Sequence, residues 1–318
     1  MRTTIALLLL CLVVMATAQT KPNSATILFD AFGKDTTLQK GWGYSALIRY
    51  NGKTILFDAG SNADVFAQNV KRLGIDLNTI DAAVVSHAHY DHLNGIDYLL
   101  RINPQVKIFF PADAFWGAPD VFNATGPDSL AKDSLPVHMQ YFGGQTKFGI
   151  NQSGGRFWKR NIEFVKNAKE IFPGVKLIAT TASFMGYFSR YPNKSFVEGG
   201  FAEEHDNTKF NGLPELSLSL QTTGGDVVFT GCSHTGVEKI VAETIRQNSR
   251  PVTLLFGGFH LLPFKREDVQ ALATHLKENL KVQGVAPGHC TGHIAFKIFR
   301  ELYGKQYYYA GLGETVTF

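Results

Sequence analysis

Ser86-His87-Ala88-His89-Tyr90-Asp91-His92-Leu93-Asn94-Gly95 places three imidazoles and a carboxylate within six residues. Neutral imidazole and ionised carboxylate are the donors that hold zinc and comparable divalent ions. Crowding them costs solvation and freedom unless a cation compensates. The pattern therefore points to a metal centre and not to a solvated loop. The apolar run Ala82-Ala83-Val84-Val85 reads as a buried strand leading into Ser86. Leu93, Ile96, Leu99 and Leu100 have helical spacing over residues 93–102. The cluster thus sits at a strand-to-helix turn. In its extended part His87 and His89, at i and i+2, project the same way. Asp91 and His92 then project from the opening of the helix toward a second position. One short segment can serve two adjacent metals.

Three more histidines close apolar runs. They are His234 in Phe229-Thr230-Gly231-Cys232-Ser233-His234, His260 in Phe256-Gly257-Gly258-Phe259-His260, and His289 in Ala286-Pro287-Gly288-His289-Cys290-Thr291-Gly292. The nearby glycines let the backbone approach closely. His234 and His289 are candidate ligands. His260 reads equally as a residue behind the ligands, a substrate contact or a proton donor. His293, His205, His138 and His275 lack such contexts and read as surface or structural.

SHAHYDHLNG, followed in order by GCSHTG, GGFHL and PGHCTG, resembles the metallo-β-lactamase-fold superfamily of metal-dependent hydrolases. Within it the motifs are similar to the subgroup of 7,8-dihydropterin-6-yl-methyl-4-(β-D-ribofuranosyl)aminobenzene-5′-phosphate synthase. Residues 53–60 (KTILFDAG) read as a strand ending in Asp58, which resembles the family's first motif, a structural aspartate beside the metal loop. The resemblance implies an α/β protein with a four-layer αββα sandwich. It implies one metal on His87, His89 and His234, and another on Asp91, His92 and His289, with Asp58 behind them. Typical two-metal members carry Thr-Gly-Asp where this chain has Thr230-Gly231-Cys232. Either Cys232 is a thiolate ligand, or it lies off the metals and His234 compensates. The number of ions, one or two, stays open. A thiolate favours zinc, with iron and manganese as alternatives.

Residues 1–18 read as a signal peptide, with Arg2, the apolar residues 5–14 and the small-residue site Ala16-Thr17-Ala18 before Gln19. The expected location is exported, periplasmic or secreted. Residues 19–318 read as a single domain of two halves, with long insertions near 111–160 and 184–212 and no Pro/Ser-rich linker. No later segment has the roughly 20 apolar residues of a membrane span, so no stable membrane association is expected. Hydrophobic content of 44% and charged content of 18% describe an ordinary core. A net charge of +4 is too small to imply a nucleic-acid partner, which leaves a small-molecule substrate. Composition is silent on oligomeric state. Cys232 and Cys290 are compatible with one disulfide, but both sit inside metal-type motifs, which favours free thiols or a ligand role.

The elements that position these residues begin with a near-duplication, ILFDA in residues 27–31 and again in 55–59. Between the copies, residues 45–50 alternate and Asn51-Gly52 signals a hairpin, so the chain starts as a β-meander. Helices are predicted over 62–73, 237–247 and 266–279. Strands are predicted over 106–110, 175–181, 216–221, 226–229, 252–256 and 282–286. Strands alternating with helices in two runs make a layered α/β domain. The expected function is that of an exported hydrolase. A metal-bound hydroxide would attack an ester, phosphoester or lactone/amide-type substrate, since zinc lowers the pKa of water from ~15.7 to about 7. Asp91 would orient the nucleophile and His260 would supply a proton. The alternatives are an iron-based redox protein, a non-catalytic metal-binding module on the same fold, or a synthase of the kind the subgroup's name describes.

Overall fold

The computed structural model describes residues 22–112, 120–123, 147–150, 160–182, 212–262 and 264–318. The expected signal peptide, His138, His205 and most of both expected insertions lie outside the described residues. The first strands are β1 (Ser24–Phe29), β2 (Ser45–Tyr50), β3 (Lys53–Phe57), β4 (Ala82–Val84) and β5 (Lys107–Pro111). After them come β6 (Asp120–Asn123), β7 (Lys147–Ile150), β8 (Ile162–Val165), β9 (Lys169–Phe172) and β10 (Val175–Ala182). The last are β11 (Leu213–Gln221), β12 (Asp226–Thr230), β13 (Val252–Gly258), β14 (Val285–Gly288) and β15 (Thr315–Thr317). They form one sheet in the order β15-β1-β2-β3-β4-β5-β8 and a second in the order β14-β13-β12-β11-β10-β9. β6 and β7 pair separately.

The meander is present: β1, β2 and β3 are antiparallel neighbours. Asn51 (φ 47°) and Gly52 (φ 80°) both take the left-handed conformation that a tight hairpin turn requires. Beyond β3 the first sheet is parallel through β4, β5 and β8, and the second is parallel from β12 to β14. The connecting helices are α1 (Ala63–Arg72), α2 (Tyr90–Leu93), α3 (Ile96–Ile102), α4 (Val237–Asn248), α5 (Arg266–Thr274) and α6 (His293–Tyr303). Asn62 caps α1 by accepting from the backbone N–H groups of Asp64 and Val65.

Alternation within the strands builds the layers. Ile48, Ile55, Phe57, Leu218, Phe229 and Phe256 share a core between the sheets. The intervening Leu47, Leu56, Ala83 and Ile108 pack outward on Phe66, Val70 and Leu99 of α1 and α3. Val228, Leu255 and Val285 pack outward on Val237, Val269 and Ile298 of α4, α5 and α6. Covering both faces of both sheets explains why the central strands read as unbroken apolar runs. The result is the αββα sandwich.

The structure corrects three predicted elements. The helix expected over 93–102 is two pieces, α2 and α3, because a Cβ at Gly95 would strike the Ala59 carbonyl and Asn94 Nδ2 donates to Ser61 O. The strand expected at 282–286 begins at Val285, since Val282 N–H still closes the preceding helix on Leu276 O. The helix expected over 266–279 leaves α geometry after Thr274 for a π-turn over His275–Asn279. α6 and β15 were not predicted, and β15 covers the edge of β1.

Candidate metal centre

Every expected site residue among the strand ends comes to one place. β1 and β3 run in the same direction, so Asp30 and Asp58 leave their strands at the same end of the sheet as the loop after β4. Cys232 and His234 follow β12, His260 follows β13, and His289 follows β14. Ligands collect at the carboxyl ends of strands in open α/β sheets for this topological reason. Gly231 permits the two sheets to meet there, because a Cβ at that position would strike Ser86 Oγ.

Asp58 is fully buried and accepts three hydrogen bonds: from Ser86 N–H to Oδ1 (2.7 Å), and from Ser86 Oγ and His92 Nδ1 to Oδ2 (2.7 Å each). A carboxylate only accepts. His92 must therefore carry its proton on Nδ1, and its Nε2 lone pair faces Cys232 Sγ at 3.1 Å. Ser86 Oγ spends its own proton on Asp58, so it accepts from His87 Nδ1 at 2.9 Å. His87 then also presents a bare Nε2, which lies 3.2 Å from His234 Nε2. One buried carboxylate thereby sets two tautomers, the usual arrangement behind metal-bound imidazoles.

The donor atoms fall into groups whose members lie within 4.8 Å of one another: His87, His89 and His234; Asp91, His92, Cys232 and His289; and Cys232, His234 and His260. Separations of 3.2 Å for His87–His234, 3.3 Å for Asp91–His289 and 3.8 Å for Asp91–His92 suit bonds of about 2.0–2.3 Å to a shared ion. His89 Nε2 is buried with no hydrogen-bond partner among the described residues. Such an orphaned nitrogen is costly unless something else occupies its lone pair. The donor set therefore fits a divalent metal, and the Cys232 sulfur lies within reach of both the Asp91/His92/His289 group and the His234/His260 group.

Electrostatics favour the neutral form of three of these rings. Burial first, and neighbouring imidazoles second, hold His87 and His234 well below the usual imidazole range. Burial, with His92 and His260 adding to it, brings His89 down to about 4. These rings are neutral and ready to ligate at pH 7. Burial works to raise Asp91, but His92 and His289 outweigh it and keep the carboxyl well below its usual range. Burial also works to lower His289, yet Cys290, Asp91 and Asp30 together raise it to about 9. Burial pushes the Cys232 thiol up, so a cation must displace its proton on binding. Cys232 and Cys290 are both free and buried.

Four site residues, Asp58 (φ 57°), Ser233 (φ 66°), His260 (φ 51°) and His289 (φ 47°), take the left-handed backbone conformation. Each such residue costs on the order of 1–3 kcal/mol and persists only where the surroundings over-determine it. Three positioning residues escaped the sequence reading. Asp30 accepts the His289 N–H at 3.0 Å. It closes the first ILFDA copy as Asp58 closes the second, so the duplication itself was the signal. Glu215, buried, accepts from His234 N–H, Thr235 N–H and Thr235 Oγ1, at 2.9, 2.7 and 2.7 Å. It lies in β11 just before the stretch predicted as strand. The Trp42 ring stands 4.9 Å from that of His289, and no sequence pattern marks it. His293 and His275 lie apart from the ligand groups.

Replacing Asp58 by Asn turns an amide N–H toward His92 or Ser86 and releases both tautomers. Asp58→Asn should lower metal affinity roughly 10–100-fold while circular dichroism stays native; unchanged affinity by calorimetry would contradict this account. Metal-free protein should also show a stability maximum near neutral pH. Unfolded imidazoles protonate near about 6.5 but His89 near about 4, so the unfolded chain binds more protons between these values and acid destabilises the fold. His289, at about 9, contributes stability that is present below about 6.5 and lost as pH rises through 9. Urea unfolding of chelator-treated protein from pH 4 to 9 checks both limbs, and a flat profile would refute them.

The metallo-β-lactamase superfamily model matches residues 41–173. The 7,8-dihydropterin-6-methyl-4-(β-D-ribofuranosyl)-aminobenzene-5′-phosphate synthase of Methanocaldococcus jannaschii is 27% identical over 286 residues, covering 88% of this chain and 90% of that protein. Among solved structures, a metal-dependent hydrolase of the β-lactamase superfamily superposes with a TM-score of 0.66 at 22% identity, covering 93% of this chain and 99% of the other. The short form of human tRNase Z superposes with a TM-score of 0.50 at 12% identity, over 92% and 98% of the two chains. The protein has the metallo-β-lactamase fold and, over most of its length, is similar to the dihydropterin-synthase-like subgroup of that superfamily.

Proposed function

We propose that the protein is a metal-dependent hydrolase acting on an ester, phosphoester or lactone/amide-type bond. The observation that carries this is the pair of adjoining donor groups, His87/His89/His234 and Asp91/His92/Cys232/His289, with two lone pairs aimed inward through Asp58. Imidazoles with a carboxylate and a thiol favour zinc, one or two ions, over iron or manganese. Such an ion supplies Lewis acidity and lowers the pKa of water to about 7. The chain's own groups do the rest. Asp91, ionised and 3.3 Å from His289 Nε2, orients the attacking water. His260, whose ring is 4.3 Å from that of His234, delivers a proton to the leaving group. Asp30, Asp58 and Glu215 hold the loops that carry the ligands.

A second reading follows from the similarity to a protein named as a synthase: the same centre could join two substrates instead of using water. Metal analysis followed by a screen of phosphomonoesters, phosphodiesters, lactones, thioesters and β-lactams separates the readings. Turnover without a second substrate is expected, with Asp91→Ala and His87→Ala each lowering kcat at least roughly 10²-fold while remaining folded. Activity surviving in metal-stripped protein would end the hydrolase reading, and bound iron with no turnover would favour a redox role. Export belongs to the same proposal and rests on residues 2–18. Mass spectrometry should find Gln19 as the mature N-terminus, and an uncleaved cytosolic chain would overturn it.

A further inference from the structure

A cavity of about 1160 Å³ opens beside His289, between the β1–β2 connection and α6. Its inner end is His289 with Trp42, a tryptophan 36% exposed, directly against the ligand. Phe32 lines the wall, with its ring 5.1 Å from that of Phe296 and 6.0 Å from that of Tyr309. The other wall is one stripe of α6. His293, Phe296, Lys297 and Arg300 stand at i, i+3, i+4 and i+7, so all face the cavity. Lys34 joins them, lying over Tyr309 at 4.2 Å.

The charges on this wall are not balanced. Lys34, Lys297 and Arg300 line the cavity with the carboxylate of Glu301; Lys34 is already paired with Glu314 at 3.1 Å, so the excess charge is that of Lys297 and Arg300. The Lys297–Glu301 contact is long, 3.9 Å, and about two-thirds exposed, so it neutralises little. Arg300 has no carboxylate partner among the described residues. A large concave site with aromatic walls and a few convergent charges is the ordinary form of a small-molecule pocket.

We propose that this cavity binds a substrate with a flat, aromatic body and an anionic group such as a carboxylate, sulfonate or phosphate. The body lies among Trp42, Phe32 and Phe296, and the anion meets Lys297 and Arg300. Along α6 these two residues lie about 6 and 10 Å from the first residue of the helix, at 1.5 Å per residue, and His289 lies just before that residue. The anion therefore sits along α6, away from the His289 end of the cavity. Only the choice of which end reacts rests on the hydrolase reading.

The test is calorimetric titration of the metal-loaded protein with 1-naphthalenesulfonate, a non-hydrolysable anion, and with neutral 1-naphthalenemethanol. The sulfonate should bind more tightly. Lys297→Gln combined with Arg300→Gln should weaken it about tenfold and leave the alcohol unchanged, whereas Trp42→Ala should weaken both. If the double variant does not fold, Arg300→Gln alone should give a several-fold loss. Equal affinity for the two probes, no binding of either, or sulfonate affinity indifferent to Lys297 and Arg300 would overturn the proposal. A screen with no ester turned over but with this binding pattern intact defeats the hydrolase reading alone. Turnover of esters with no dependence on the charged pair defeats the pocket assignment alone.

Discussion

The centre depends on one buried carboxylate. Asp58 takes a backbone N–H, a hydroxyl and an imidazole N–H at 2.7 Å each, and through Ser86 it reaches a second imidazole. Without these bonds His87 and His92 would be free to exchange tautomers and to turn. A metal site made of mobile rings must lose their freedom on each binding event. Here that cost is met during folding, when the sheet forms and Asp58 is fixed at the end of β3.

The remainder of the sandwich places other groups against that fixed point. Burial first, and the neighbouring imidazoles after it, lower the affinity of His87, His89 and His234 for protons. Left-handed backbone at His260 and His289 adds strain. The inter-sheet core opposes both, with the Phe229 and Phe256 rings stacked at 4.5 Å among other buried apolar side chains. Truncating rings of this kind costs roughly 3–5 kcal/mol, enough to hold a few strained residues in place. The site thus sits where two stiff parallel segments end, and not on freely moving loops.

Much of this was legible from residues 86–95, because spacing within one short segment translates directly into direction. His87 and His89 do come together, in the group completed by His234, although the chain bends at residues 87–88 and does not stay extended there. The helix expected after them broke at Asn94-Gly95, since the loop is tied to Ala59 and Ser61 across the fold. Glu215 and Trp42 left no signature, as their partners lie far along the chain. Asp30 did leave one, in the repeated ILFDA, but a repeat does not say what its aspartate holds.

The chemistry was legible in the residues alone: which donors are present, that they crowd at strand ends, and that a divalent ion suits them. Those properties are local, set by side-chain type and by the periods of strand and helix. Packing of the two sheets set how the donors are shared, with Cys232 between the Asp91/His92/His289 group and the His234/His260 group, which tautomers they adopt, and that an aromatic cavity with Lys297 and Arg300 on its wall adjoins His289. These are distances between segments tens to hundreds of residues apart. They come into existence only when two sheets pack and their carboxyl ends converge.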